Sequence, residues 1–142
     1  MIYLASPYSH PEARVREERV RLTAVHAADM MRIGRHVFAP IVHGHSITEH
    51  WAAVHPEHLR PHDEVDLERA HHAWWMAQCM AFLRHASELV VLKLAGWEES
   101  AGIKIEVRLA RELGIHIRYR DPWAFYSAQT FELMQRRAGV TS

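Results

Sequence analysis

Hydrophobic positions along this 142-residue chain recur at two different periods, and each change of period marks an element. An apolar run over residues 1–5 is closed by Ser6-Pro7. Proline biases the residue before it away from helix, so this start predicts a buried strand running into a loop. Residues 11–33 then carry Val15, Leu22, Val25 and Ile33 at helical intervals, with Pro11 and Glu12 at the start and Gly34 at the end. Proline and an acidic group suit a first helical turn and glycine suits the stop. Residues 35–39 read as a second strand, closed by Pro40. Strand, helix and strand joined by short connections predict parallel pairing and a right-handed crossover.

The pattern weakens over residues 41–71, where Pro56 and Pro61 interrupt a polar, histidine-rich stretch. We read this as an excursion off the sheet with one short helix over residues 46–54, and excursions of this length are often functional. Helical spacing returns at Trp75, Cys79 and Phe82, in a helix ending near Ala86. Residues 88–94 contain Leu89-Val90-Val91-Leu92, a continuous apolar run of the kind found in a central parallel strand. Ser100 and Gly114 bracket a further helix over residues 100–113, and residues 115–119 supply another strand. The alternation predicts an α/β fold: an open parallel sheet of four or five strands with helices on both faces and ligands outside the carboxyl ends of the strands. We expect this domain to span residues 1–122. The extension over residues 123–142, with Trp123, Phe125, Tyr126, Phe131 and Leu133, is expected to pack on the body or on a partner subunit in a homo-oligomer.

Composition narrows the function classes. Lys plus Arg and Asp plus Glu number 17 each, a neutral balance that lacks the electrostatic footprint of a general nucleic-acid or anionic-membrane binder. The lone Cys79 excludes an internal disulfide and a thiolate zinc cage. With no basic leader pattern and no run of 18 apolar residues, the expectation is a cytoplasmic protein without membrane spans. Eight of the 13 histidines lie between His43 and His72, which raises a metal site. Neither HExxH nor zinc-finger spacing is present, and His43 and His45 share a face only in an extended segment, so no metal or cofactor is expected. Solvated surface histidines are the plainer reading, with His43 and His45 the best placed to touch a ligand. Arg14, Arg16, Arg19 and Arg21 are interleaved with Glu12, Glu17 and Glu18, as on a solvated helix face.

Candidate chemistry gathers where the apolar strand of residues 88–94 gives way to loop and helix. Ser100 as N-cap offers a hydroxyl, and the N–H groups of the first turn behind it form an anion site. Gly102 and Glu106 stand four apart on one helix face, so a ligand could cross the first turn at Gly102 and still reach the Glu106 carboxylate. Neighbouring Ile103, Val107 and Ala110 would bury that carboxylate in part and raise its pKa. The alternative is a simple cap at Ser100, a packing glycine at Gly102, and a solvated Glu106 paired with Arg108 or Lys104.

The opening Tyr3-Leu4-Ala5-Ser6-Pro7-Tyr8, the apolar strand ending in Leu94 and the string Gly96-Trp97-Glu98-Glu99-Ser100-x-Gly102-x-x-x-Glu106 resemble the nucleoside 2-deoxyribosyltransferase superfamily. The resemblance is nearest to its DUF1937 branch and covers roughly residues 1–122. It implies a flavodoxin-like or Rossmann-like fold, usually dimeric, that cleaves or exchanges the N-glycosidic bond of nucleosides or nucleotides without a metal. By the same resemblance Glu106 is the catalytic glutamate, Tyr3 orients it, and Ser100 touches the 5′-phosphate. Ser6, Tyr8 and Gly96 fall in the loops that would line the substrate pocket, and His43 and His45 are candidates for base recognition. The aspartate that the superfamily places eight residues before the position of Ser87 is here Cys79, so that base protonation comes from another group, with Asp63 and Asp66 as candidates, or the substrate differs, or the activity is reduced or lost; the plainer reading of Cys79 itself is a small buried hydrophobe.

The sequence therefore points to an N-glycosidase or N-glycosyltransferase acting on a nucleoside or its 5′-monophosphate through a glutamate nucleophile. A non-catalytic nucleotide-binding module and a histidine-rich metallohydrolase are the alternatives.

Overall fold

The computed structural model describes residues 1–54 and 64–123, with backbone alone for 64–73. The chain runs β1 (Ile2–Ala5), α1 (Ala13–Arg32), β2 (Val37–Phe38), α2 (Pro40–Val54), α3 (Glu64–Leu83), β3 (Glu88–Leu92), α4 (Ala101–Glu112) and β4 (His116–Arg120). The four strands form one parallel sheet in the order β2-β1-β3-β4. This is the expected open α/β sheet, and its order reverses between β1 and β3.

Alternation along the strands divides the core into two layers. Tyr3 and Ala5 of β1 and Leu89 and Val91 of β3 face Cys79 and Leu83 of α3 and Ile103, Val107 and Ala110 of α4. On the opposite face, Ile2, Leu4, Val90 and Leu92 meet Ala27 and Met30 of α1. The middle strands are buried at every position, which explains their unbroken apolar runs. The one charged member is Glu88 at the amino end of β3. It is held by Arg35 and Arg118, each at 3.1 Å.

Two elements depart from expectation. The second strand pairs over two residues only, as an edge strand does. Pro40 closes it by opening a helix rather than a loop, so α2 begins six residues before the expected 46–54 segment. Proline is well suited to a first helical position, since its missing N–H has no intrahelical partner there. The Ala39 carbonyl accepts from the Val42 and His43 amides and starts the turn. The helix before β3 likewise reaches back to Glu64, and its last residue is Leu83 rather than Ala86. Gly34 and Gly114 each adopt positive φ at a helix end, as their positions predict. Among the described residues no helix is long and apolar enough to cross a membrane. The predicted extension over 123–142 lies outside the described residues except for exposed Trp123, as do the side chains of Asp63 and Asp66.

Candidate active site

Where the strand order reverses, the chain leaves the carboxyl ends of β1 and β3 for helices on opposite faces of the sheet, the place where open α/β sheets form their ligand crevice. Tyr3 of β1 and Glu106 of α4 meet on the face of the sheet below that crevice. The Tyr3 hydroxyl donates to Glu106 Oε1 at 2.6 Å, a contact joining residues 103 apart in sequence. Both side chains are buried, Glu106 at 6% exposure, and among the described residues no second donor reaches its carboxylate. Burial pushes the Glu106 carboxyl up to about 7, and the Tyr3 hydrogen bond opposes that rise by favouring the anion. The Tyr3 hydroxyl is raised in turn, first by burial and then by the nearby carboxylate, so it remains a neutral donor. Glu106 is thus neither solvated nor paired with Lys104 or Arg108.

Cys79 of α3 completes this buried group. It is 7% exposed, and its thiol, beside Tyr3 and Glu106, is pushed up to about 11, chiefly by burial. The position is therefore occupied by a neutral thiol, and among the described residues no second negative charge stands beside Glu106.

The helix that carries Glu106 starts at Ser100, whose hydroxyl accepts from the Ile103 amide at 3.4 Å as an N-cap. Gly102 does not serve packing, because a Cβ there would meet only Ser100 Oγ, at 3.9 Å. The space over the first turn is open, and the helix delivers Ser100, Gly102 and Glu106 to one side of the crevice.

The opposite side is built by α1, whose contribution escaped the sequence reading. Arg19 donates to the Tyr8 carbonyl at 3.3 Å, to the Ser9 carbonyl at 2.8 Å and to the Ala95 carbonyl at 2.8 Å. One guanidinium therefore staples the loop after β1 to the loop after β3. Gly96 holds φ +87, a backbone conformation that favours glycine, and a Cβ there would fall 2.8 Å from Arg19 Nη2 and push the guanidinium aside. Arg16 donates to the His10 and Pro11 carbonyls, and Thr23 is hydrogen-bonded to the Ser6 hydroxyl at 2.9 Å. Among the described residues only Arg21 of these arginines makes the expected surface pair, with Glu18 at 2.7 Å. The interleaved charges concealed this division, although the four-residue spacing of Arg19 and Thr23 gave a trace of a common inward face.

The remaining candidates lie on the loop after β1 and on α2. The Tyr8 hydroxyl is 2.9 Å from His45 Nδ1, and His45 Nε2 is 3.3 Å from Glu49 Oε1. His43 instead stands edge-on to Phe38, Phe82 and Trp75, at ring separations of 5.6, 6.4 and 6.3 Å. Because this segment is helical, His43 and His45 point different ways. Gly44 between them lets Trp75 close on α2, since a Cβ would come within 2.8 Å of the indole. Among the described residues no three His, Cys, Asp or Glu side chains are grouped to hold a metal ion. Of the sequence candidates, Tyr3 and Glu106 touch directly, Tyr8 and His45 form a second pair, Ser6 is tied to α1, and His43 belongs to an aromatic cluster.

The family model described as a domain of unknown function, DUF1937, matches residues 1–119. No curated protein matches the chain. The family match takes in β1, the crevice loops, Ser100 and Glu106, and ends within β4, so this chain belongs to the DUF1937 family.

Proposed function

We propose that the protein cleaves the N-glycosidic bond of a nucleoside or nucleoside 5′-monophosphate, with Glu106 as nucleophile. The observation that carries this reading is the buried Tyr3–Glu106 hydrogen bond below the crevice at the strand-order reversal. A carboxylate of this kind attacks the anomeric carbon as the base departs, forming a glycosyl ester that water or an acceptor base then resolves. Only the anion attacks, so the raised Glu106 carboxyl places the rise of activity with pH near 7. Tyr3 favours that anion and aims Oε1, leaving Oε2 for the sugar. Ser100 and the amides behind it suit the 5′-phosphate, a local demand that the neutral surface as a whole does not oppose. The resemblance of the Tyr3–Tyr8 and Gly96–Glu106 strings to nucleoside 2-deoxyribosyltransferases supports the same assignment.

The test is release of free base from a panel of nucleosides and 5′-monophosphates by the wild type and by Glu106→Gln. A binding module without turnover is the second reading, favoured by the neutral thiol at Cys79. It requires a nucleotide to raise the melting temperature while no base appears.

A further inference from the structure

A departing base takes the bond electrons onto nitrogen and needs a proton, yet among the described residues the buried centre has no group suited to supply it. Glu106 must be ionised to attack, and the Cys79 thiol is raised to about 11. The Tyr3 hydroxyl is raised as well, and its proton is engaged in the hydrogen bond to Glu106. Outside this centre stands a second chain of titratable groups that cleavage by Glu106 does not otherwise use. Glu49 Oε1 lies 3.3 Å from His45 Nε2, and His45 Nδ1 lies 2.9 Å from the Tyr8 hydroxyl. The three side chains run from solvent inward: the Glu49 side chain is 60% exposed, that of His45 16%, and Tyr8 is half-buried.

The placement of this chain suits the departing group. Tyr8 sits three residues past the carboxyl end of β1, whose Tyr3 holds Glu106. His45 follows two residues after His43, which stands edge-on to Phe38, and the Phe38 ring is 5.7 Å from that of Tyr3. Arg19 fixes the Tyr8 carbonyl from the other side. On the reading of Glu106 as nucleophile, we propose that Glu49, His45 and Tyr8 form a proton relay that protonates the leaving base.

Each step balances. The Tyr8 hydroxyl gives its proton to the base nitrogen as the bond from the anomeric carbon to nitrogen breaks and the bond from that carbon to a Glu106 oxygen forms. The His45 imidazolium passes its Nδ1 proton to the Tyr8 oxygen, and its Nε2 proton stays hydrogen-bonded to the Glu49 carboxylate. In the second half, water attacks the anomeric carbon, Glu106 leaves as carboxylate, and the water proton returns through Tyr8 to His45. Among the described residues, the charged or titratable groups facing the relay are Glu49 of α2 and, beside the Tyr8 hydroxyl, Arg16 of α1.

The decisive comparison is between an ordinary nucleotide and one whose base leaves without needing a proton. An N7-methylated purine nucleotide serves for a purine enzyme, and a pyridinium nucleotide serves for a pyrimidine enzyme. His45→Gln keeps a hydrogen-bonding group toward Tyr8 but shuttles no proton, and Tyr8→Phe removes the final donor. Both are expected to lower kcat on the ordinary nucleotide about 100-fold or more, the usual contribution of general acid catalysis. On the cationic substrate they are expected to lower it less than about threefold. Equal losses on both substrates, or no loss on either, overturn the relay while base release that depends on Glu106 still stands. Base release that survives in Glu106→Gln, or none in the wild type, overturns the underlying reading and the relay with it.

Discussion

Replacing Glu106 with glutamine should stabilise the protein at alkaline pH and leave it nearly unchanged in acid. Folding lifts the Glu106 carboxyl from an ordinary 4.5 to about 7, so between these values the folded state holds a proton that the unfolded state has lost. Stability is therefore undiminished below about pH 4.5 and falls as pH rises to about 7, beyond which the deficit is constant. A shift of this size corresponds to roughly 3 kcal/mol, because each unit is worth about 1.4 kcal/mol. Glutamine is isosteric with the protonated acid, still accepts from Tyr3 and has no charge to bury. The melting-temperature advantage of Glu106→Gln over wild type should thus grow by about 9 °C between pH 4.5 and pH 8, at about 3 °C per kcal/mol for a domain of this size. Paired scanning calorimetry of the two proteins at both pH values reads it, and comparing them cancels the other titrating groups. A difference independent of pH, or a variant less stable than wild type at pH 8, would refute the account of Glu106 as a desolvated carboxylate.

Tyr3→Phe removes the donor that favours the anion, so the acid limb of the base-release profile should move up by about one to two pH units, the worth of a hydrogen bond to a charged group. Gly96→Ala should cost about 1–2 kcal/mol for its left-handed backbone alone, measured by denaturant titration. Part of its total cost should disappear in an Arg19→Ala background, where the close contact is gone, and strict additivity would count against the staple. Ser100→Ala should cost about 1 kcal/mol as a lost cap and should reduce the preference for 5′-monophosphates over nucleosides in kcat/KM.

The sheet was legible because its signals are local: unbroken apolar runs at β1 and β3, and glycines at the ends of α1 and α4. The edge strand is shorter than its apolar residues suggest because a two-residue pairing leaves no alternation to read, and α2 is longer because Pro40 serves both as a strand stop and as a first helical residue, which the sequence alone does not distinguish. At the site, Ser100, Gly102 and Glu106 share one helix and were visible as a spacing. The Tyr3–Glu106 contact spans 103 residues and was reachable only through resemblance. Arg19 was hidden because its acidic neighbours in sequence are not its partners in space, which are backbone carbonyls of two distant loops. His45 was noticed among the histidines, but its pairing with Tyr8 depends on the helical course of α2 across the end of β1.

The central claim is that a buried glutamate of this α/β sheet cleaves an N-glycosidic bond, and chromatographic detection of free base tests it most directly. Wild-type protein incubated with nucleosides and nucleoside 5′-monophosphates should release base from at least one of them, with a rate rising through about pH 7, and Glu106→Gln should release none. Release that persists undiminished in Glu106→Gln, or its absence from wild type across the panel, would contradict the account.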